Sequence, residues 1–287
     1  MNEKITKNRE QLVAKVIEAI KSGTAPWQRP WNANGAPKNA ITGRQYTGIN
    51  QISLMTYGLE IDGGKDPRWI TFLQAKEKCW RIKKGSSGFP IELWSPAVKK
   101  SEGPDGEEVE ETYTLHKVFT VFHATQVEGI GEFKPDKVNI IEANDKAEKL
   151  IKSSGADIHC GGYQAFFDVV HDYIQLPLKQ DFKSVEGYYS TALHELTHWT
   201  GHKERLNREQ TASKFSPSYA YEELIAEMGS LFLTNAVGIP RTEGEFQNHT
   251  NYINSWCSEL SANPDKLFKA AAEANKAANY LLNKAEC

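Results

Sequence analysis

The chain predicts an α+β protein of two domains, and three observations carry that reading. Short β-prone runs punctuated by turn residues fill the first half, long helically periodic segments fill most of the second, and the charge changes sign between them. Residues 1–130 hold 18 Lys and Arg against 15 Asp and Glu, while the remainder holds 16 against 22. A length of 287 residues with 39% hydrophobic content suffices for two buried cores. The expected division is a first domain at 1–130, a polar linker at 131–145 and a second domain at 146–287.

Taking the first half in order, Ile5, Leu12, Val13, Val16, Ile17 and Ile20 recur at helical spacing and predict an opening helix that ends at Gly23. Basic and aromatic residues then interleave: Trp27, Arg29 and Trp31 in a proline-flanked loop; Arg44 with Tyr46; Arg68 with Trp69 and Phe72; and Lys76, Lys78, Trp80, Arg81, Lys83 and Lys84. Single-stranded nucleic acid is held this way, with cations tracking phosphates and ring faces stacking bases for ~1–3 kcal/mol each. Trp69 and Phe72 lie in the apolar run W-I-T-F-L-Q-A, where core packing is an equal alternative. Three runs read as strands: Ile91–Trp94, Tyr113–Leu115 and Lys117–Ala124. In the last, Val118, Thr120 and Phe122 share one face, and Phe119, Val121 and His123 the other. Six of the 15 acids fall in Ser101–Thr112, expected to be a hairpin tip or disordered loop; outside it 18 bases meet 9 acids.

In the second half, Tyr163–Leu176 predicts one or two strands, and Ser184–Gly201 a helix with an N-cap serine, Glu186 in its first turn and a glycine stop. Midway along that helix stands His194-Glu195-Leu196-Thr197-His198. Two histidines four apart are separated by about 40° around the axis, so both imidazoles can grip one metal ion. Glu195 between them is placed to act as general base on an attacking water. His202 continues the spacing but lies about 12 Å from His194 along a straight helix, too far for one ion. Glu204 occupies the position where a related motif returns a third ligand from a turn, and it remains an alternative.

The favoured third ligand is Glu223, on a predicted helix from about Ser218 to Val237 whose apolar stripe is Leu224, Ile225, Met228, Leu231 and Phe232. Glu227, four residues on, shares its face and is read as a carboxylate that orients a ligand histidine through the other ring nitrogen. Rotating the helix by one position would substitute Glu222. Helices near Gly244–Leu260 and Pro264–Lys284 close the chain. The donors Tyr219, Tyr221, His202, His249 and Tyr252 are near enough in sequence to stabilise an oxyanion, and the sequence does not choose among them.

These residues also carry a resemblance. H-E-L-T-H-W-T-G-H with R-L-N-R behind it, then Y-E-E-L-I-A-E, resembles the C-terminal metallopeptidase domain of the ArdC antirestriction proteins, a zincin-type fold. T-A-P-W-Q-R-P-W (24–31), T-G-R-Q-Y-T-G-I-N (42–50) and W-I-T-F-L-Q-A (69–75) are similar to that family's single-stranded DNA-binding domain. The resemblance implies a plasmid or mobile-element protein that binds incoming single-stranded DNA and protects it from restriction. The H-E-x-x-H site itself predicts Zn2+, or another divalent ion such as Mn2+, hydrolysing a peptide bond, and a host restriction or DNA-processing factor is the expected protein substrate. The alternatives are a DNA-recruited metalloprotease whose main output is cleavage, and a DNA-binding module braced by a structural metal. No signal peptide and no run of 18 apolar residues is present, and Cys79, Cys160, Cys257 and Cys287 lack C-x-x-C spacing; a cytoplasmic protein without membrane contact is expected.

Overall fold

The computed structural model describes residues 3–22, 25–28, 35–102, 108–135, 139–210, 216–240 and 250–286, and its architecture is α+β. Helix α1 (Glu3–Lys21) buries Leu12, Val13, Val16 and Ile20; the expected stop at Gly23 lies outside the described residues. Helix α2 (Gly48–Asp62) is apolar on almost every side and is buried from Gly48 to Gly58, with Asn50 half-buried. It ends at Gly63 in the left-handed conformation (φ 72°) that glycine adopts without steric cost. A four-stranded sheet, in the order β1 (Lys38–Asn39), β2 (Arg68–Thr71), β5 (Glu108–His123), β4 (Phe89–Glu102), is antiparallel except for the β1–β2 pair. Short α3 (Phe72–Glu77) follows β2 through a reciprocal capping box between Thr71 and Gln74. A small second sheet pairs β3 (Arg81–Ile82) with β6 (Val127–Glu128).

The three predicted strand runs of this half merge into one long hairpin, registered from Phe89 opposite Val121 to Glu102 opposite Glu108. Much of the acidic stretch Ser101–Thr112 is therefore strand; residues 103–107 lie outside the described residues. Of the two faces read from KVFTVFHA, the one bearing Val121 and His123 turns inward at the base, where both are fully buried. His123 is held there by Thr125 Oγ1 at 2.9 Å from Nδ1 and by the Asp66 carbonyl at 2.8 Å from Nε2.

In the second half, α4 (Ile140–Ser154) starts inside the stretch expected to be linker. Asn139 caps it by accepting from the Glu142 N–H, and Ala143, Ala147 and Leu150 are drawn into the core. Strands β7 (Asp157–Cys160), β8 (Phe166–Asp168) and β9 (Tyr173–Leu176) form a sheet in the order β7-β9-β8, with β8 an antiparallel edge. Helices α5 (Val185–Thr200), α6 (Pro217–Val237), α7 (Thr250–Ala262) and α8 (Asp265–Glu286) complete the fold. Ser184 caps α5 as expected, accepting from the Gly187 N–H, and Ser216 caps α6, accepting from the Tyr219 N–H, two residues before the expected start at Ser218.

One hydrophobic core runs through both halves. Helix α7 packs on α1 and α8 on α2, the Trp256 indole meets Trp27 edge-on at 6.1 Å, and Ala270, Ala271, Ala274, Ala277 and Ala278 let α8 lie close to its neighbours. Helix α6 is buried almost throughout, against α5 on one side and α8 on another. Gly229 sets the α5–α6 separation, because a Cβ there would lie 2.4 Å from Thr197 Cγ2. That close approach brings the α6 carboxylates to the α5 histidines.

Candidate metal centre

His194 and His198 project from α5 towards Glu223 on α6, and the three offer ligand atoms that all lie within 4.8 Å of one another. Glu223 Oε2 is 3.6 Å from His194 Nε2, and its Oε1 is 3.6 Å from His198 Nε2. Tetrahedral bonds of about 2.1 Å place neighbouring ligand atoms about 3.4 Å apart, so this nitrogen–nitrogen–oxygen set fits a divalent ion with little movement. The two imidazoles are nearly perpendicular (79°), with centroids 4.9 Å apart.

Glu195 is buried beside them. Burial raises its carboxyl above the usual range, against the pull of His194 and His198, and it accepts a hydrogen bond from the backbone of Phe167 on edge strand β8. Burial opposes charge on His198, but the carboxylates of Glu222 and Glu223 outweigh it and push the imidazole up to about 10. His194 is raised in the same way, its hydrogen bond to Glu223 overcoming burial. Glu223 itself is held far below the carboxylate range by the two histidines, although burial acts the other way.

Behind His198 stands Glu222, its Oε1 3.2 Å from Nδ1. The carboxylate orienting His198 is thus the residue read from sequence only as a rotated ligand; the first position after Tyr221 faces the outer nitrogen and the second faces the metal position. Glu227, expected in the orienting role, is fully buried one turn further along α6. Glu204 is exposed and outside the ligand group, while His202 lies 3.8 Å from Asp172 through Nδ1. Of the oxyanion candidates, Tyr221 is partly buried, with its phenol pushed up to about 12 by burial and the nearby acids Glu273 and Glu222; His249 and the Tyr252 side chain lie outside the described residues.

Two family descriptions match the chain: the N-terminal domain of anti-restriction factor ArdC over residues 6–122, and a zincin-like metallopeptidase over 145–273. A metal-free crystal structure of the antirestriction ArdC protein from plasmid R388 is 34% identical, covers 97% of both chains and superposes with a TM-score of 0.77. The chain belongs to the ArdC antirestriction family. The Mn(II)-bound crystal structure of the same R388 protein is also similar, at 33% identity, 96% and 97% coverage and a TM-score of 0.74. Two Escherichia coli proteins named DNA primase TraC are 38% and 37% identical over 95% of this chain, which spans only 20% and 27% of their length.

Within this ArdC-family fold the basic and aromatic residues of the first half separate by burial. Trp27 is fully buried against Trp256, so it is a core residue and not the stacking face expected from its loop. Arg29 and Trp31 lie outside the described residues. Tyr46 is half-buried against the core, and Arg68 is engaged by Asp66 at 2.9 and 2.8 Å and by the Gly131 carbonyl at 2.9 Å. Trp80 is half-buried in a small cluster with Ile70, Ala75 and Val127, its ring so close to Gly129 that a Cβ there would lie 2.7 Å away. Lys83 donates to the Thr125 carbonyl at 2.7 Å while staying exposed; Arg44, Lys76, Lys78, Arg81 and Lys84 are exposed too. The ambiguous pair resolves cleanly: Trp69 is buried and Phe72 is 58% exposed. Trp94, stacked on His116 at 4.7 Å, and Phe119 are exposed rings of the hairpin that the sequence reading did not select, although strand alternation marks positions that face away from a core. Among the described residues, no helix is long and apolar enough to cross a membrane.

Proposed function

We propose that this ArdC-family protein binds incoming single-stranded DNA through its first half and protects it during conjugation, and that its second half is a metal-dependent peptidase. The observation that carries the catalytic part is the convergence of His194, His198 and Glu223, with Glu195 buried alongside. The three ligands would hold Zn2+, with Mn2+ the alternative, and the ion would supply Lewis-acid activation of water and of a peptide carbonyl. Glu195 takes the proton of the attacking water and returns it to the departing amine; a carboxyl raised by burial suits a group that must do both near neutral pH. Glu222 fixes the His198 ring, and Glu227 is assigned the corresponding place behind His194. The substrate class is a protein, either a restriction or a DNA-processing factor of the recipient cytoplasm.

For the DNA half, the exposed cations Arg44, Lys76, Lys78, Arg81, Lys83 and Lys84, with Phe72 beside them in the chain, are the surface that suits phosphates and bases. The working division is residues 1–130 for DNA and 146–287 for the metal, with α4 already begun at Ile140 inside the expected linker 131–145. A Glu195→Ala substitution separates the two activities. Metal uptake and single-strand binding should persist while hydrolysis of a protein substrate falls at least ~100-fold. If protection of transferred DNA survives the change, cleavage is not how the protein protects; if hydrolysis survives, Glu195 is not the base.

A further inference from the structure

The segment linking α5 to α6 contains Arg205-Leu206-Asn207-Arg208, and the mechanism above gives it no task. It folds back under the end of α5: the Leu206 N–H donates to Thr200 O at 3.0 Å, Asn207 to His202 O at 3.1 Å and Arg208 to Gly201 O at 2.8 Å. Asn207 takes a left-handed conformation (φ 49°), which asparagine tolerates better than most residues. The turn aims Arg208 at Glu222. Nε donates to Oε2 at 3.0 Å and Nη2 to Oε1 at 2.7 Å, while Nη1 reaches Thr200 Oγ1 at 2.9 Å and Nη2 reaches the Thr197 carbonyl at 2.7 Å. Gln210 adds two bonds, to Glu222 Oε1 at 3.0 Å and to the carbonyl of His198 itself at 2.6 Å. The Arg208 and Glu222 side chains are only 6% and 8% exposed.

From this geometry we infer that Arg208 is a positioning residue for the metal ligand His198, acting through Glu222 with Gln210 as a second support. For Nε2 to face the metal position, Nδ1 must carry the proton and donate it backwards. Glu222 accepts at that nitrogen and so selects both tautomer and ring rotation. A carboxylate so deeply buried would be costly if it were unpaired, and it would be free to swing if only one bond held it. The planar fork of Arg208 fixes both of its oxygens and is anchored to two points of α5; a lysine could restore the charge but not those directions. Gly201 serves the same clamp, because a Cβ there would lie 2.4 Å from Gln210 Nε2 and 2.8 Å from Arg208 Nη2. Arg205, equally buried at 8% exposure, is engaged elsewhere: it pairs with Asp172 in the β8–β9 turn and stacks on Trp199 at 3.8 Å.

The inference rests on the metal-binding reading of His194, His198 and Glu223, and one experiment distinguishes the two. Mn2+ is titrated calorimetrically into the full chain and into Arg208→Lys, Glu222→Gln, the double variant and Arg205→Lys, with Co2+ absorption spectra recorded in parallel and folding checked by circular dichroism. Arg208→Lys and Glu222→Gln should each weaken Mn2+ by about 10- to 100-fold and alter the Co2+ bands, with the double variant little worse than the singles. Arg205→Lys should bind Mn2+ within about twofold of the parent and leave the bands unchanged, since it contacts neither Glu222 nor His198. Should Arg208→Lys fail to fold, Gln210→Ala gives a milder loss of about 2- to 10-fold by the same route. The inference is overturned if folded Arg208→Lys and Glu222→Gln bind as the parent does, or if Arg205→Lys loses as much as they do. A parent chain that takes up neither Mn2+ nor Co2+ defeats the metal reading itself, and the inference with it.

Discussion

The paired helices α5 and α6 and the long β4–β5 hairpin use similar residue types under opposite conditions. On α6, Glu222, Glu223 and Glu227 are all buried, and the carboxylates of Glu222 and Glu223 are fixed by neighbours 2.7 to 3.6 Å away. On the hairpin, lysines, glutamates and rings stand in solvent; Lys100 meets Glu110 at 3.1 Å with both side chains more than half exposed. A charge in the first region is tied to one geometry, whereas in the second it contributes a field that a flexible partner can meet in many ways. Chemistry on one bond needs the former.

That contrast can be broken at several points. The largest effect should come from Trp27→Ala, which removes a fully buried indole shared by both halves and should cost about 3–5 kcal/mol of stability by thermal or denaturant unfolding. A stable variant with selectively weakened DNA binding would return Trp27 to the DNA surface. His198→Ala comes next: Mn2+ affinity should fall by more than ~100-fold, beyond what loss of a partner behind a ligand produces. In Gly229→Ala the new methyl meets Thr197, so a destabilisation of about 1–3 kcal/mol is expected together with weakened metal uptake as α5 and α6 are forced apart. Phe72→Ala should leave the melting curve alone and weaken an unstructured oligonucleotide by ~1–3 kcal/mol, read by fluorescence anisotropy. Unchanged anisotropy there would remove Phe72 from the stacking surface.

The mildest test is pH. His198 is raised to about 10 in the metal-free fold, from an ordinary value near 6.5, so its contribution to stability is complete below about 6.5 and is lost as pH climbs towards 10. With chelator present, the melting temperature should decline over that window. Metal must displace the same proton, so Mn2+ affinity should rise by up to about tenfold per pH unit for each proton released. An affinity that falls between about pH 6 and 8 would mean that the histidines are not the ligands.

How much of this was legible beforehand depended on whether a role is set by local spacing or by tertiary burial. One helical turn fixes the relation of His194, Glu195 and His198, and the buried face of α6 points to a carboxylate from that helix without choosing which one. Between Glu222 and Glu223 spacing cannot decide: adjacent helical residues point about 100° apart, and only the packing of α6 on α5 sets Glu223 beside both histidines and Glu222 behind His198. Arg208 and Gln210 were invisible, since their contacts depend on how an irregular segment folds back. In the first half, Trp27 sits in a proline-flanked basic loop and Phe72 in an apolar run, yet the contact with Trp256 of α7 buries the first and the second stands in water. The two expected cores proved continuous because α7 and α8, late in the sequence, return to the first half.

That return has a consequence for biosynthesis. Helices α1 and α2 pack on each other, and α2 on β4, but α7 and α8, which complete the cover of their apolar faces, follow some two hundred residues later in the chain. Domains usually fold in order as they leave the exit tunnel; here the leading half must wait for the trailing one. Until α7 and α8 dock, the part of those apolar faces they cover would be open to a chaperone or to a neighbouring nascent chain.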